Sequence, residues 1–322
     1  MSRAMKLALL AALVGLSFAG SLMTGKSVVP LSAWFSDDPR WWIILQLRLP
    51  RAVLGLALGA VLGLSGAVLQ GYLRNPLADP GVVGVSSAAA LGAVTAIVAG
   101  VATGAGVFAA AIVAAAGAMA LLAALTWRSD GTVTFVLAGT VLASLAGALT
   151  AFVISVAPNP YAVAEVMDWL MGALTDRGWG DVALAGPPMA AGATLLLLTA
   201  RSLDALSLGE AAARSLGVDL GRTRGLVVAG TGLAVGAGVA ATGVIGFVGL
   251  IVPHLLRPVF GARPGALLVP SALGGAVLVL VADALVRLVP GAGEVRLGVA
   301  MALIGAPFFL MLLLRSRGEA WR

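Results

Sequence analysis

Gly20-Ser21-Leu22-Met23-Thr24-Gly25-Lys26-Ser27 matches the spacing GxxxxGKS, in which backbone amides and a lysine cradle phosphate groups. Leu278-Val279-Leu280-Val281-Ala282-Asp283 resembles the apolar strand and aspartate that hold magnesium in such enzymes. That chemistry needs a strand before the loop and a helix after it, so that a helix N-terminus faces the phosphates. Here the apolar run Leu7–Gly25 precedes the pattern and Val28-Val29-Pro30 follows it, so nucleotide binding is not expected on this chain. The chain has no cysteine and a single histidine, His254, which excludes a thiolate metal site and argues against a histidine-ligated one. No cluster of nucleophile, base and metal ligands marks an enzyme. No cofactor is expected on this chain, and His254 reads as structural.

The elements that carry these residues are apolar to an unusual degree. Of 322 residues, 60% are hydrophobic and 11% charged, with a mean hydropathy of +1.06. Soluble domains carry roughly 25% charged residues, so this chain has too little polar surface to cover a core in water. A bilayer supplies the missing apolar solvent, and only helices or closed barrels span it. The apolar runs are continuous rather than alternating, which selects an all-α integral membrane protein over a barrel. The 43 glycines suit close helix packing in lipid, and Gly55, Gly59 and Gly63 form two overlapping GxxxG steps on one helix face. The net charge of +6 comes from basic residues scattered between apolar runs, which points to topology signals rather than nucleic acid.

Charge-poor stretches predict about ten spans, each needing about 20 residues to cross. They are Leu7–Gly25, Ala52–Leu73, two within Gly81–Trp127 divided near Thr103–Gly106, Gly131–Val156, Val182–Ala200, Gly225–Val244, Gly246–Leu256, Gly265–Ala282 and Leu297–Leu314. Pro187 and Pro188 are expected to bend the sixth. Gly246–Leu256 is short and predicts a short or tilted helix. The first run resembles a signal peptide after Arg3 and Lys6, but nine further apolar segments favour an uncleaved span.

With the N-terminus inside, thirteen of the twenty lysines and arginines fall on the inner side and seven on the outer. This bias favours N-in, C-in. The inner set is Arg3, Lys6, Arg74, Arg128, Arg201, Arg214, Arg222, Arg224, Arg257, Arg263, Arg315, Arg317 and Arg322. The whole of 1–322 reads as one transmembrane domain. Its first half runs to about 157, an outer connection spans 157–181, and a second half spans 182–322 with an inner segment at 201–224.

Three segments carry further information. In the inner connection, Ser207-Leu208-Gly209-Glu210 reads as a capping box, with Ser207 capping a helix and Glu210 reaching back. Ala211, Ala212, Ala213 and Arg214 continue that helix, and Gly217 is placed to end it. The turn Arg74–Ser86 contains Asn75, Pro76, Asp79, Pro80 and Gly84; Asp79 is expected to cap the next helix, with Pro80 in its first turn. In Gly246–Arg257, Pro253 is expected to limit the helix before it, leaving His254 and Arg257 near the inner surface.

Taken with Arg48-Leu49-Pro50-Arg51 and the ending Gly305-Ala306-Pro307-Phe308-Phe309-Leu310, these segments resemble, in order and over nearly the whole chain, the FecCD/BtuC-like family of ABC importer permease subunits. The resemblance implies a type II ABC importer permease in the cell (inner) membrane. It implies a homodimer with the path at its interface, bound to membrane lipid and not to nucleic acid. It also implies two ATP-binding cassette subunits, which carry the ATP and magnesium, and a periplasmic or surface binding protein. Ser207–Gly217 would then be the coupling helix, with Glu210, Ala211 and Arg214 as its testable residues. Arg48, Arg51 and Arg287 match family arginines that meet acidic residues on the binding protein. Asp283 stands four residues before Arg287, a favourable helical pair that would orient it. The likeness suggests a short re-entrant helix in the outer connection, near Glu165, Asp168 and Trp169. The cargo implied is a ferric siderophore, haem or cobalamin. An ion-coupled secondary carrier would need intramembrane acids or histidines, and a permease for free metal ions would need ligands along its path; neither set is evident.

Overall fold

A computed structural model describes residues 1–101, 103–127, 132–290 and 293–320, with the side chains of 313 and 315–320 outside that description. Among the described residues the chain is helical, with no strand. Its helices are α1 (Arg3–Met23), α2 (Leu49–Tyr72), α3 (Val85–Val98), α4 (Gly104–Thr126), α5 (Thr132–Ser155), α6 (Pro160–Leu170) and α7 (Trp179–Leu197). They continue as α8 (Ala200–Leu206), α9 (Glu210–Ser215), α10 (Leu220–Thr242), α11 (Val248–Phe260), α12 (Pro264–Leu288) and α13 (Leu297–Ala320). Seven are long and apolar enough to cross a membrane: α1, α2 with its preceding turn, α4, α5, α7, α10 and α12. Val85–Val98, Val248–Phe260 and Leu297–Leu312 are shorter apolar helices. Each expected span coincides with one of these ten. Arg128, Gly131 and Arg322, and the side chains of Arg315 and Arg317, lie outside the described residues.

The helices are not equivalent. In α2 and α10, 78% of the apolar window is buried, against 6% in α1, so α2 and α10 form the centre and α1 lines the rim. Glycine makes the centre possible. A Cβ on Gly59 would overlap the Gly275 carbonyl, and one on Gly63 the Ser271 carbonyl, so α2 and α12 touch backbone to backbone. Gly55 faces only side chains, with Leu174 Cδ1 3.0 Å from where its Cβ would lie. The close contact therefore belongs to Gly59 and Gly63, with Gly275 as their partner, and extends to Gly66 against Gly249 of α11.

Three local expectations need correction. Ser207 does not cap a helix start: it closes the C-terminus of α8, and its hydroxyl donates to the Asp204 carbonyl at 2.6 Å. Gly209 stands in the N-cap position of α9 with no side-chain cap, so no capping box forms. Pro253 does not end a helix but sits inside α11, as does Pro258. Asp79 caps a single 3-10 turn, Pro80–Val83, rather than α3, whose own cap is Gly84 at φ +86°. Thr103 does divide the third and fourth spans, its hydroxyl accepting from the Gly106 N–H. Pro187 and Pro188 lie inside α7.

The GxxxxGKS stretch falls partly in the last turn of α1, and Thr24 is that helix's C-cap. The helical element after it is the 3-10 turn Leu31–Ala33, which offers no phosphate-facing helix of useful length.

Candidate functional site

Two groups of residues collect at opposite ends of the helices. At one end, α8 and α9 form a short angled pair between α7 and α10. Asp204 fixes α8 to the start of α12: its Oδ1 accepts from the Gly265 N–H at 2.7 Å and its Oδ2 from Arg263 Nε at 2.8 Å. Leu203 and Leu206 are buried beneath α8, and Leu203 lies beside Gly71 of α2. Glu210 of α9 stands 3.8 Å from Arg74, just past the end of α2. The pair is thus attached to both α2 and α12, the two helices in closest contact.

The backbone of α9 depends on its bounding glycines. Gly209 has φ +100° and Gly217 φ +81°, conformations that side chains disfavour. Gly217 N–H donates to Arg214 O at 2.9 Å and Val218 N–H to Ala213 O at 3.0 Å, the pattern that ends a helix at a left-handed glycine. Ala213 is buried, while Leu208, Ala211, Arg214 and Leu216 are exposed, so a partly apolar face is left at the tip. Ala212 is half-buried.

Below this pair, the turn after α2 is rigidly built. Asn75 Oδ1 accepts from the Leu77 N–H at 2.9 Å, and Asp79 Oδ1 from the Gly81 N–H at 2.8 Å. Pro76 is exposed and Pro80 buried, and Gly84 packs against the Gly139 carbonyl of α5 at a Cβ clearance of 3.1 Å. Burial pushes the Asp79 carboxyl up, and the Gly81 N–H opposes that shift. His254 is half-buried, its Nδ1 without a partner, and meets Phe308 edge-on at 5.8 Å. Among the described residues no three His, Asp or Glu side chains gather as metal ligands.

At the other end, Arg48, Arg51 and Arg287 converge, but not as surface groups. Each is at most 9% exposed. Arg51 forks onto Asp283, with Nη2–Oδ1 at 2.8 Å, and reaches Glu294 Oε2 at 2.8 Å. Arg287 Nη2 lies 3.0 Å from Asp283 Oδ2, and its Nη1 donates to Ser21 O and Thr24 O. Arg48 donates to Leu22 O, Met23 O and Ser27 O. Two cations therefore close the C-terminal carbonyls of α1, where the helix dipole favours positive charge. Desolvation alone would raise the Glu294 carboxyl, but Arg51 and the Thr175 hydroxyl, at 2.9 Å, hold it below the usual carboxylate range. All three arginines expected to meet acidic residues of a binding protein are thus drawn inward, held by carboxylates and carbonyls of the chain itself. The three instead line a cavity of about 390 Å³ that also takes in Lys26 and Arg177. Asp283 orients Arg287 as its spacing implied, and it holds Arg51 as well.

The outer connection forms α6, capped by Asn159, and Asp168 of this helix pairs with Arg296 at 3.0 Å. Glu165, Asp168 and Trp169 border a separate cavity of about 220 Å³. Sequence reasoning missed Asp204, Glu294 and Gln70. Asp204 carried a readable signal, since it lies in the most charged connection.

Residues 9–315 of this chain match the FecCD transport family. This chain belongs to that family. Among FecCD relatives, the cobalamin import system permease protein BtuC of Halobacterium salinarum is 44% identical over 278 residues, covering 84% of this chain and 73% of that one. The Fe(3+) dicitrate transport system permease protein FecD of Escherichia coli is 37% identical, covering 92% of this chain and 94% of the relative. The hemin transport system permease protein HmuU of Yersinia pestis is 35% identical, covering 88% and 86%. A solved structure described as an inward-facing conformation of a metal-chelate type ABC transporter superposes with a TM-score of 0.87 at 34% identity, covering 97% of this chain and 99% of that one. The chain is accordingly an ABC importer permease of the FecCD family and a multi-pass membrane protein.

Proposed function

We propose that this permease moves a metal chelate into the cytoplasm, with energy from ATP hydrolysed on separate partner subunits. The carrying observation is the attachment of α8–α9 to the closely packed α2–α12 pair, firmly through Asp204 to the start of α12 and through buried Leu203 beside Gly71 of α2, with the weaker Glu210–Arg74 contact added. A force applied to the exposed tip at Leu208, Ala211 and Arg214 reaches the glycine-packed α2–α12 pair without passing through a flexible linker. Such a connection suits rigid-body coupling. The end bearing Arg3, Lys6, Arg74 and Arg263 would be cytoplasmic, in line with the bias of basic residues.

The arginine-lined cavity at the outer end would receive an acidic side chain of a binding protein. Arg48, Arg51, Arg287, Lys26 and Arg177 stand there against Asp283, Glu294 and Asp176, so the cluster keeps a net positive charge that an inserted carboxylate would offset. Two copies of the chain, two ATP-binding subunits and one binding protein make the proposed assembly. The cargo class follows from relatives named for cobalamin, ferric dicitrate and hemin. Reconstitution of the chain with its ATP-binding partner and binding protein in vesicles tests this reading. ATP-dependent uptake of cobalamin, a ferric chelate or haem is expected. Uptake driven by an ion gradient without ATP would refute it.

A further inference from the structure

At the end that carries α8 and α9, a cavity of about 320 Å³ opens between α2, α11 and α12. Two arginines line it, Arg74 and Arg257, with no carboxylate among the described residues of the wall. Arg257 is half-buried, and the partner it has among the described residues is neutral: its Nη2 donates to Gln70 Oε1 at 2.9 Å. Gln70, 4% exposed, is in turn held by the Gly249 carbonyl, so the guanidinium is positioned rather than free to swing away. Arg74 meets Glu210 at 3.8 Å, an exposed and weak pairing. A desolvated cation without a counter-charge is costly, and the ordinary remedy is an anion.

The surroundings say which anion. Apart from Ser207 at the mouth, the rest of the wall is apolar, including Ala262, Pro264 and Leu267. Lys6 Nζ donates to Val259 O and Arg3 Nη2 to Ala266 O, so two more cations rest on the backbone beside that wall. A basic recess among membrane helices with an apolar side matches the head of an anionic lipid. We propose that this cavity binds a phosphate-bearing anion, with Arg257 and Arg74 as its charge partners and Gln70 as the positioning residue. Occupancy would place the ligand between the end of α2 and Ser207 of the α8–α9 connection, adding a third link beside Asp204 and Glu210.

The full chain, purified in detergent and stripped of lipid, tests the site by ligand-induced thermal stabilisation and native mass spectrometry. The probes are dihexanoyl phosphatidylglycerol, dihexanoyl phosphatidylcholine and inorganic phosphate. Phosphatidylglycerol is expected to bind with clear preference over phosphatidylcholine, and R74Q/R257Q to weaken it at least tenfold. Stabilisation by phosphatidylglycerol alone assigns the site to lipid, and equal stabilisation by inorganic phosphate assigns it to free phosphate. S207W, at an exposed position on the cavity mouth, blocks entry while leaving both arginines and should lose the same binding. The proposal is overturned if neither anion binds in preference to phosphatidylcholine, or if both R74Q/R257Q and S207W bind like the parent chain.

Discussion

Gln70 Nε2 donates to the carbonyl of Gly249 at 3.1 Å, the very carbonyl that Pro253 leaves without a helical N–H four residues on. A side chain of α2 thus completes the broken ladder of α11, at the place where Gly66 and Gly249 bring the two backbones into contact. Replacing Gln70 by leucine strands a buried carbonyl and should cost about 1–3 kcal/mol. P253A restores the missing N–H, so it should reduce the penalty of Q70L in the double variant. Thermal unfolding of the four proteins in detergent measures that coupling, and strict additivity would detach Gln70 from Pro253.

The glycine contact separates two classes of substitution. G59A and G275A place a methyl group against backbone carbonyls that cannot yield, and each should destabilise by about 1–3 kcal/mol. G147A in α5 meets nothing within 4 Å and should be neutral or slightly stabilising, as expected for alanine over glycine in a helix. Unfolding midpoints of the three variants decide the point.

Asp283 is 1% exposed and holds two arginines. D283N leaves both cations under-compensated and should cost about 3–5 kcal/mol, the range for breaking a buried pair. Charge reversal at Arg51 or Arg287 is expected to fail in folding before it reports on docking. K26E and R177E, on the wall of the same cavity, should instead weaken capture of the binding protein, with a difference that shrinks as salt rises.

Glu294 supplies a pH signature. Its folded carboxyl titrates below its unfolded value, so its contribution is present above the ordinary glutamate range and fades as pH falls through the folded value. The stability difference between the parent chain and E294Q should therefore be constant at neutral pH and shrink under acid. A difference that grows as pH falls from 5 to 3 would reverse the assigned sign.

At the tip of α9, replacing Glu210 and Arg214 with alanine should leave the chain folded while transport falls at least tenfold and ATP hydrolysis by the assembly persists. Unfolding midpoint, uptake and hydrolysis measured on one preparation distinguish uncoupling from misfolding.

Much of the fold was legible because apolar runs and the residues that end them are local signals. Thr103, Gly217 and the Gly59–Gly63 step of α2 behave as their sequence neighbourhoods imply, while Gly55 stands outside the close contact. The errors have physical causes. Ser207 and Glu210 have the spacing of a capping box, but Gly209 adopts a positive φ and breaks the turn between them. Pro253 looked like a helix stop because its rescue by Gln70 comes from 183 positions away in sequence, across a packed interface. Arg48 and Arg51 stand where span-end cations stand, but Arg48 ends a π-helical segment, Ile43–Arg48, running into α2, and their partners, the α1 carbonyls and Asp283 with Glu294, come from distant parts of the chain. Partners such as Glu294 and Asp204 are set by tertiary contact, which spacing along one chain does not encode.

The central claim is that this permease works as one part of an ATP-driven importer. Purifying the tagged chain in mild detergent from its own organism, and measuring what accompanies it, tests that claim most directly. An ATP-hydrolysing subunit present in equal stoichiometry is the predicted result. A chain that emerges alone from several mild detergents, with uptake that follows an ion gradient, would contradict it.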